Sequence, residues 1–253
     1  MRAALAAATS LLALLALSTR AQARQSADLR VSFAPYQLGR STNVGFDLNI
    51  NAPVGHVPSP LTALELHYPR QLGFAVSGLG LEACPPRQLQ ALGPEECPAN
   101  SHMGQGTAVA EIPFGPEIFH ETAEVAILRG PEHEGHIGLL FYAKAVEPVS
   151  AGIAFPGALL PAAPPRQESI AITVPLVSGL PGGPDVAIVQ LHASFGPRGL
   201  TYYERTHGKL IAYHPQGILL PNKCPRGGFA FSASLTFLDG SHARAHTAIP
   251  CTP

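Results

Sequence analysis

"CPRGGFAFSASLTFLDGSHARAHTAIPC", residues 224–251, is bounded by two of the chain's four cysteines and alternates with period two on either side of an Asp-Gly pair. Phe229, Phe231, Ala233, Leu235 and Phe237 share one face of an extended strand, and Ala230, Ser232, Ser234 and Thr236 share the other. In the second run Ala243, Ala245, Thr247 and Ile249 alternate with His242, Arg244 and His246. Two such runs around a turn form a hairpin whose register must bring like faces together. A two-residue turn on Asp239-Gly240 would set Phe237 opposite His242 and Leu235 opposite Arg244, mixing apolar and charged faces. A three-residue loop, Leu238-Asp239-Gly240, sets Phe237 opposite Ser241, Leu235 opposite Ala243, Phe231 opposite Thr247 and Phe229 opposite Ile249. Gly240 then takes the left-handed position of a G1 bulge. This register places Cys251 opposite Gly227, and "PRGG" can turn back to bring Cys224 within bonding range. The stretch therefore predicts a terminal hairpin clamped by a disulfide.

His242 and His246 share a face but stand roughly 13 Å apart along an extended strand. A single zinc ion, bound at about 2.0–2.1 Å, cannot take both, and Arg244 between them would repel it. They are expected on a solvated face with Ser232, Ser234 and Thr236 opposite.

Outward from the hairpin, the same alternation recurs. "STNVGFDLNIN" sets Val44, Phe46, Leu48 and Ile50 against Asn43, Asp47, Asn49 and Asn51, and "LTALELHYP" sets Leu64, Leu66 and Tyr68 against Glu65 and His67. "ADLRVSFA", "GTAVAEIPF", "FHETAEVAIL", "ESIAITVPLV" and "DVAIVQLHASF" are further strands. "HIGLLFYAKAV" is apolar on both faces and predicts a strand covered on both sides. One short helix, "PPRQLQALG", has prolines at its start and Gly93 as its stop. No segment supplies the crossover helix that parallel strands need. The fold expected is all-β, an antiparallel β-sandwich (Ig-like or jelly-roll-like) with one short helix and a C-terminal hairpin. Residues 156–168, "PGALLPAAPPRQE", are the most linker-like stretch and mark a possible division of an otherwise single domain, 24–253.

The chain opens with Arg2, an apolar run from Ala3 to Leu17, and Ala21-Gln22-Ala23, the order of a secretory signal peptide over residues 1–23. The run is shorter than the roughly 20 residues of a membrane span, so a secreted, extracellular protein without a membrane span in its mature form is expected. Removing the segment takes Arg2 and Arg20 from a chain of 16 basic and 17 acidic residues. With no basic field left, nucleic acid is not an expected partner. In that compartment Cys84, Cys97, Cys224 and Cys251 predict two disulfides. Three pairings are possible, and proximity favours Cys84–Cys97 and Cys224–Cys251. The competing four-thiolate zinc site would want ligands paired two to four residues apart.

The clamped segment resembles the closing segment of an uncharacterised family of exported actinobacterial proteins. These end in Cys-Pro, a Gly-Gly-aromatic strand, an Asp-Gly turn and a last cysteine. "CPPRQLQALGPEECPANSHMGQGTAVAEI" is similar to their central pattern through Cys84, Cys97-Pro98, Ser101, Gly104, Gly106 and Ala108. The resemblance implies an extracellular β-rich fold and supplies no reaction.

Candidate chemistry is sparse. "SHMGQG" lacks a G-x-S-x-G elbow around Ser101 and a complete phosphate-binding glycine pattern, so a turn entering a strand is expected there. "EIFHETAEVAILRGPEHEGH" offers Glu117, His120, Glu121, Glu124, Glu132, His133, Glu134 and His136. Of these, His120, His133 and His136 are the candidate ligands if two strands meet through "RGPEHEG". "LTYYERTHGKLIAYHPQG" could present Tyr202, Tyr203 and Tyr213 as a platform for sugar rings, but with no tryptophan in the chain half-buried tyrosines at a sandwich edge are the expected reading. No cofactor motif is present. The expected function is a secreted or cell-surface non-catalytic module that binds an unknown extracellular ligand or cell-surface component. The alternative is a secreted hydrolase or metal-dependent enzyme with a His/Glu loop site.

Overall fold

The apolar alternation becomes one continuous sheet. The computed structural model describes residues 25–145, 150–161, 168–179 and 183–251; the expected signal segment lies outside them. Among these residues the elements are β1 (Ser26–Ala34), β2 (Ser41–Asn51), β3 (Leu61–Tyr68), α1 (Pro86–Leu92), β4 (His102–Phe114), β5 (Glu117–Arg129), β6 (Ile137–Ala145), β7 (Ala151–Leu160), β8 (Glu168–Thr173), β9 (Ala187–Phe195), β10 (Tyr202–Thr206), β11 (Lys209–Tyr213), β12 (Ile218–Leu219), β13 (Phe229–Phe237) and β14 (His242–Ile249). The fold is all-β. Its main sheet runs β1-β2-β9-β4-β5-β6-β7-β8-β3-β13-β14, with the short β12 paired to β2 and β10–β11 forming a separate hairpin.

Each neighbour along this path is antiparallel. An odd number of strands so arranged leaves the first and last pointing the same way. β1 and β14 accordingly lie side by side in parallel, curling the sheet into a nearly closed, barrel-like sandwich. Side chains hold the seam. Phe33 of β1 meets Phe229 edge-on at 5.1 Å, the Tyr36 hydroxyl donates to the Pro250 carbonyl at 3.0 Å, and at the other end the Gln25 amide donates to Ser241 Oγ at 2.8 Å. Most apolar side chains of the main sheet point inward and most polar ones outward.

The terminal hairpin has the register its faces demand. Phe229 pairs with Ile249, Phe231 with Thr247 and Leu235 with Ala243, and the Phe237 N–H donates to the Ser241 carbonyl across a three-residue loop. Gly240 has φ 78°. His242, Arg244 and His246 stand opposite Thr236, Ser234 and Ser232 on the outer face. Cys224–Cys251 and Cys84–Cys97 are both bonded, with Cα atoms 6.1 and 5.3 Å apart.

β6 is covered on both faces. Leu139 and Phe141 point into the barrel, while Leu140 lies under α1 in a small outer core with Leu89, Leu128 and the Cys84–Cys97 bridge. Two features differ from the sequence expectation. β4 begins at His102, so Gly104 and Gly106 are strand residues, each pressed against the β9 backbone where a Cβ would lie about 2 Å from a carbonyl oxygen of Ser194 or His192. Of the linker-like stretch, residues 156–160 belong to β7 and Glu168 opens β8, while 162–167 lie outside the described residues. Pro156 fits there because β8 joins β7 only from Gly157 onward, leaving the proline where a ladder donor is not required.

Candidate functional site

The strand directions sort the loops. Segments 52–60, 115–116, 174–179, 183–186 and 238–241 all lie at one end of the barrel, here the upper end, together with the close of β6 and the start of β7. The lower end is plugged. Leu72, Phe74 and Leu79 fold under it, with the Phe74 ring 4.4 Å from Tyr68 and 5.8 Å from Phe195. Burial, with the Glu168 carboxylate beside it, pushes the Tyr68 hydroxyl up, so it stays a neutral phenol.

Above the plug the interior is not filled. On the β1–β2–β13 side the inward positions are large (Phe33, Phe46, Phe229, Phe231), but the upper inward positions of β4 to β7 are Ala108, Ala110, Ala123, Ala143, Ala145 and Ala151. Side chains this short cannot meet across the barrel, and a cavity of about 150 Å³ remains. Its floor is aromatic: Phe46 and Phe195 meet edge-on at 6.1 Å, and Phe141 stacks on Phe155 at 5.5 Å. Among the described residues the sole charged residue in its lining is Glu121, 5% exposed, on the same inward face of β5 as Ala123, Val125 and Ile127. Around the upper end Val54, Phe114, Ile118, Phe119 and Leu176 are exposed. Phe114 and Phe119 pack ring against ring at 6.1 Å where the β4–β5 hairpin overhangs the barrel.

The histidines and carboxylates of "EIFHETAEVAILRGPEHEGH" do not converge. His120 stands outward near the upper end of β5, 3.3 Å from Glu111 on β4. His133 and His136 face each other across a tight turn below the lower end of β5, formed by Glu134 (φ 51°) and Gly135 (φ 76°). Nine strand residues separate the two groups, roughly 30 Å. Glu132 is paired with Arg129 at 2.8 Å. Among the described residues no three His, Cys, Asp or Glu side chains could hold one metal ion. The turn of His133 and His136 borders a wider outer groove of about 640 Å³, whose polar lining includes Glu65, Ser234 and Thr236.

His192 is hydrogen-bonded through Nδ1 to Asp47, and Thr107 lies directly opposite it on β4. This acid–histidine–hydroxyl order stands on the outer face, with the His192 and Asp47 side chains exposed, and lines neither the barrel cavity nor the groove beside His133 and His136. The tyrosine-rich stretch leaves Tyr203 exposed. Tyr202 is fully buried, its hydroxyl accepting from the Gly80 N–H at 2.8 Å and donating to the His102 carbonyl, which ties the plug to the start of β4.

His102 itself is half-buried beside the Pro94 carbonyl, with Nε2 at 3.1 Å. Burial disfavours its imidazolium and holds its pKa below the usual histidine value. The unfolded chain, titrating near about 6.5, therefore binds the proton first. Stability from this group is complete above that pH and is lost as pH falls toward the folded value. Melting temperatures taken from pH 8 to pH 5 are expected to fall less for His102→Gln than for the unaltered chain; equal slopes would remove His102 from this role.

No protein-family model, no curated protein and no solved structure matches the chain.

Proposed function

We propose that this chain is an exported, non-catalytic binding protein whose ligand site is the interior of the barrel. The two disulfides support export, in keeping with the signal-like N-terminal segment and with the likeness to exported actinobacterial proteins. The observation that carries the reading is the apolar cavity below an apolar rim, built by alanines on four adjacent strands. A cavity of about this volume in an engineered protein stays dry and takes benzene. The occupant here is accordingly one ring or one short alkyl chain, seated on the Phe46, Phe195, Phe141 and Phe155 floor. A larger molecule would enter only by such a group, since drug-sized pockets run from about 300 Å³ upward.

Thermal melts with toluene test this. At about 100 times its Kd a ligand adds about 2.7 kcal/mol, a rise of roughly 5–10 °C for a chain of this size. Ala143→Phe places a ring in the cavity and is expected to abolish the rise, and Ala123→Leu to diminish it should the larger residue disturb folding. No rise in the unaltered protein, or the same rise in both variants, would overturn the site.

A further inference from the structure

Glu121 is out of place by the rule that formed its strand. The inward positions of β5 below it are Ala123, Val125 and Ile127, and a carboxylate in such a row costs stability that an apolar residue would not. It sits two residue pairs above Ala108–Ala123, the next inward pair, opposite Ala110, where the apolar cavity reaches the upper rim. A carboxyl at the mouth of an apolar pocket distinguishes the polar end of whatever enters.

Resting on the barrel interior as the ligand site, we infer that the ligand is an amphiphile whose apolar group fills the cavity and whose polar end is a hydrogen-bond donor, an amine or a hydroxyl, held by Glu121. Glu121 already interacts within the protein. A carboxylate has about four acceptor positions, so it can serve a ligand beside that partner. A donor end meets an acceptor placed in a low-dielectric setting, and an ammonium adds charge to the bond. A carboxylate end is disfavoured at pH 7, because two carboxyl groups at one apolar site cannot both ionise and one must first take up a proton.

Four one-ring probes of similar size separate the possibilities: toluene, benzyl alcohol, benzylamine and benzoate, titrated calorimetrically at pH 7. Benzylamine and benzyl alcohol are expected to bind at least about tenfold more tightly than benzoate. Glu121→Gln is expected to weaken benzylamine by about tenfold while leaving toluene unchanged. Toluene binding with no discrimination among the polar ends, or benzoate binding as tightly as benzylamine, would overturn the role of Glu121 and leave the cavity site standing. Failure of all four, toluene included, would overturn both.

Discussion

Phe231→Ala is expected to destabilise the protein by about 3–5 kcal/mol, the range for removing a buried aromatic side chain. Phe231 is 2% exposed and sits where the seam and the cavity floor meet, 5.9 Å from Phe46 and 6.1 Å from Phe33. Its loss enlarges an interior that already holds a cavity, and the rigid sheet on either side limits collapse into the gap. For a chain of this length the change corresponds to a fall in melting temperature of about 10 °C. Ser232→Ala, the next residue on the outer face, is expected to stay within about 0.5 kcal/mol. Urea unfolding of both variants measures the contrast, and a Phe231→Ala cost below about 1 kcal/mol would show that this ring does not anchor the seam.

Removing the Cys224–Cys251 bridge has the second large effect. The bonded cysteines are 27 residues apart, and closing a loop of that length in the unfolded chain contributes about 3–4 kcal/mol by chain-entropy estimates. The bridge also fixes the base of β13 and β14 beside Pro250, the carbonyl that receives the Tyr36 hydroxyl. Cys224→Ser with Cys251→Ser should therefore weaken the hairpin and the seam together. Melts with and without reductant report it: after full reduction of that bridge the unaltered protein should approach the double variant. A double variant as stable as the oxidised protein would show that the clamp is dispensable.

The parts legible in sequence were those governed by neighbouring residues. Alternation located most strands, and the demand that Phe and Ala share a face selected the three-residue loop at Leu238–Gly240 over the tighter turn that Asp-Gly suggests. α1 was legible from its prolines and Gly93. β7 was not, because Pro156 and the proline-rich residues that follow imitate a linker, and only the late arrival of β8 makes proline acceptable there. The inward aim of Glu121 was present in the parity of β5. Its place in a cavity lining was not, since parity does not say which face encloses a cavity.

The sequence by itself determined an all-β chain of facing strands and favoured two local cysteine pairs, because strand faces and short loops depend on residues close together in the chain. Only the tertiary structure decided that β9 lies between β2 and β4, that β3 joins β8 to β13, and that His120 stands at the far end of the barrel from His133 and His136. It also decided the cavity. An interior volume is the difference between what the closed ring of strands encloses and what its inward side chains fill, and alanines on β4 to β7 leave space only once β1 has met β14.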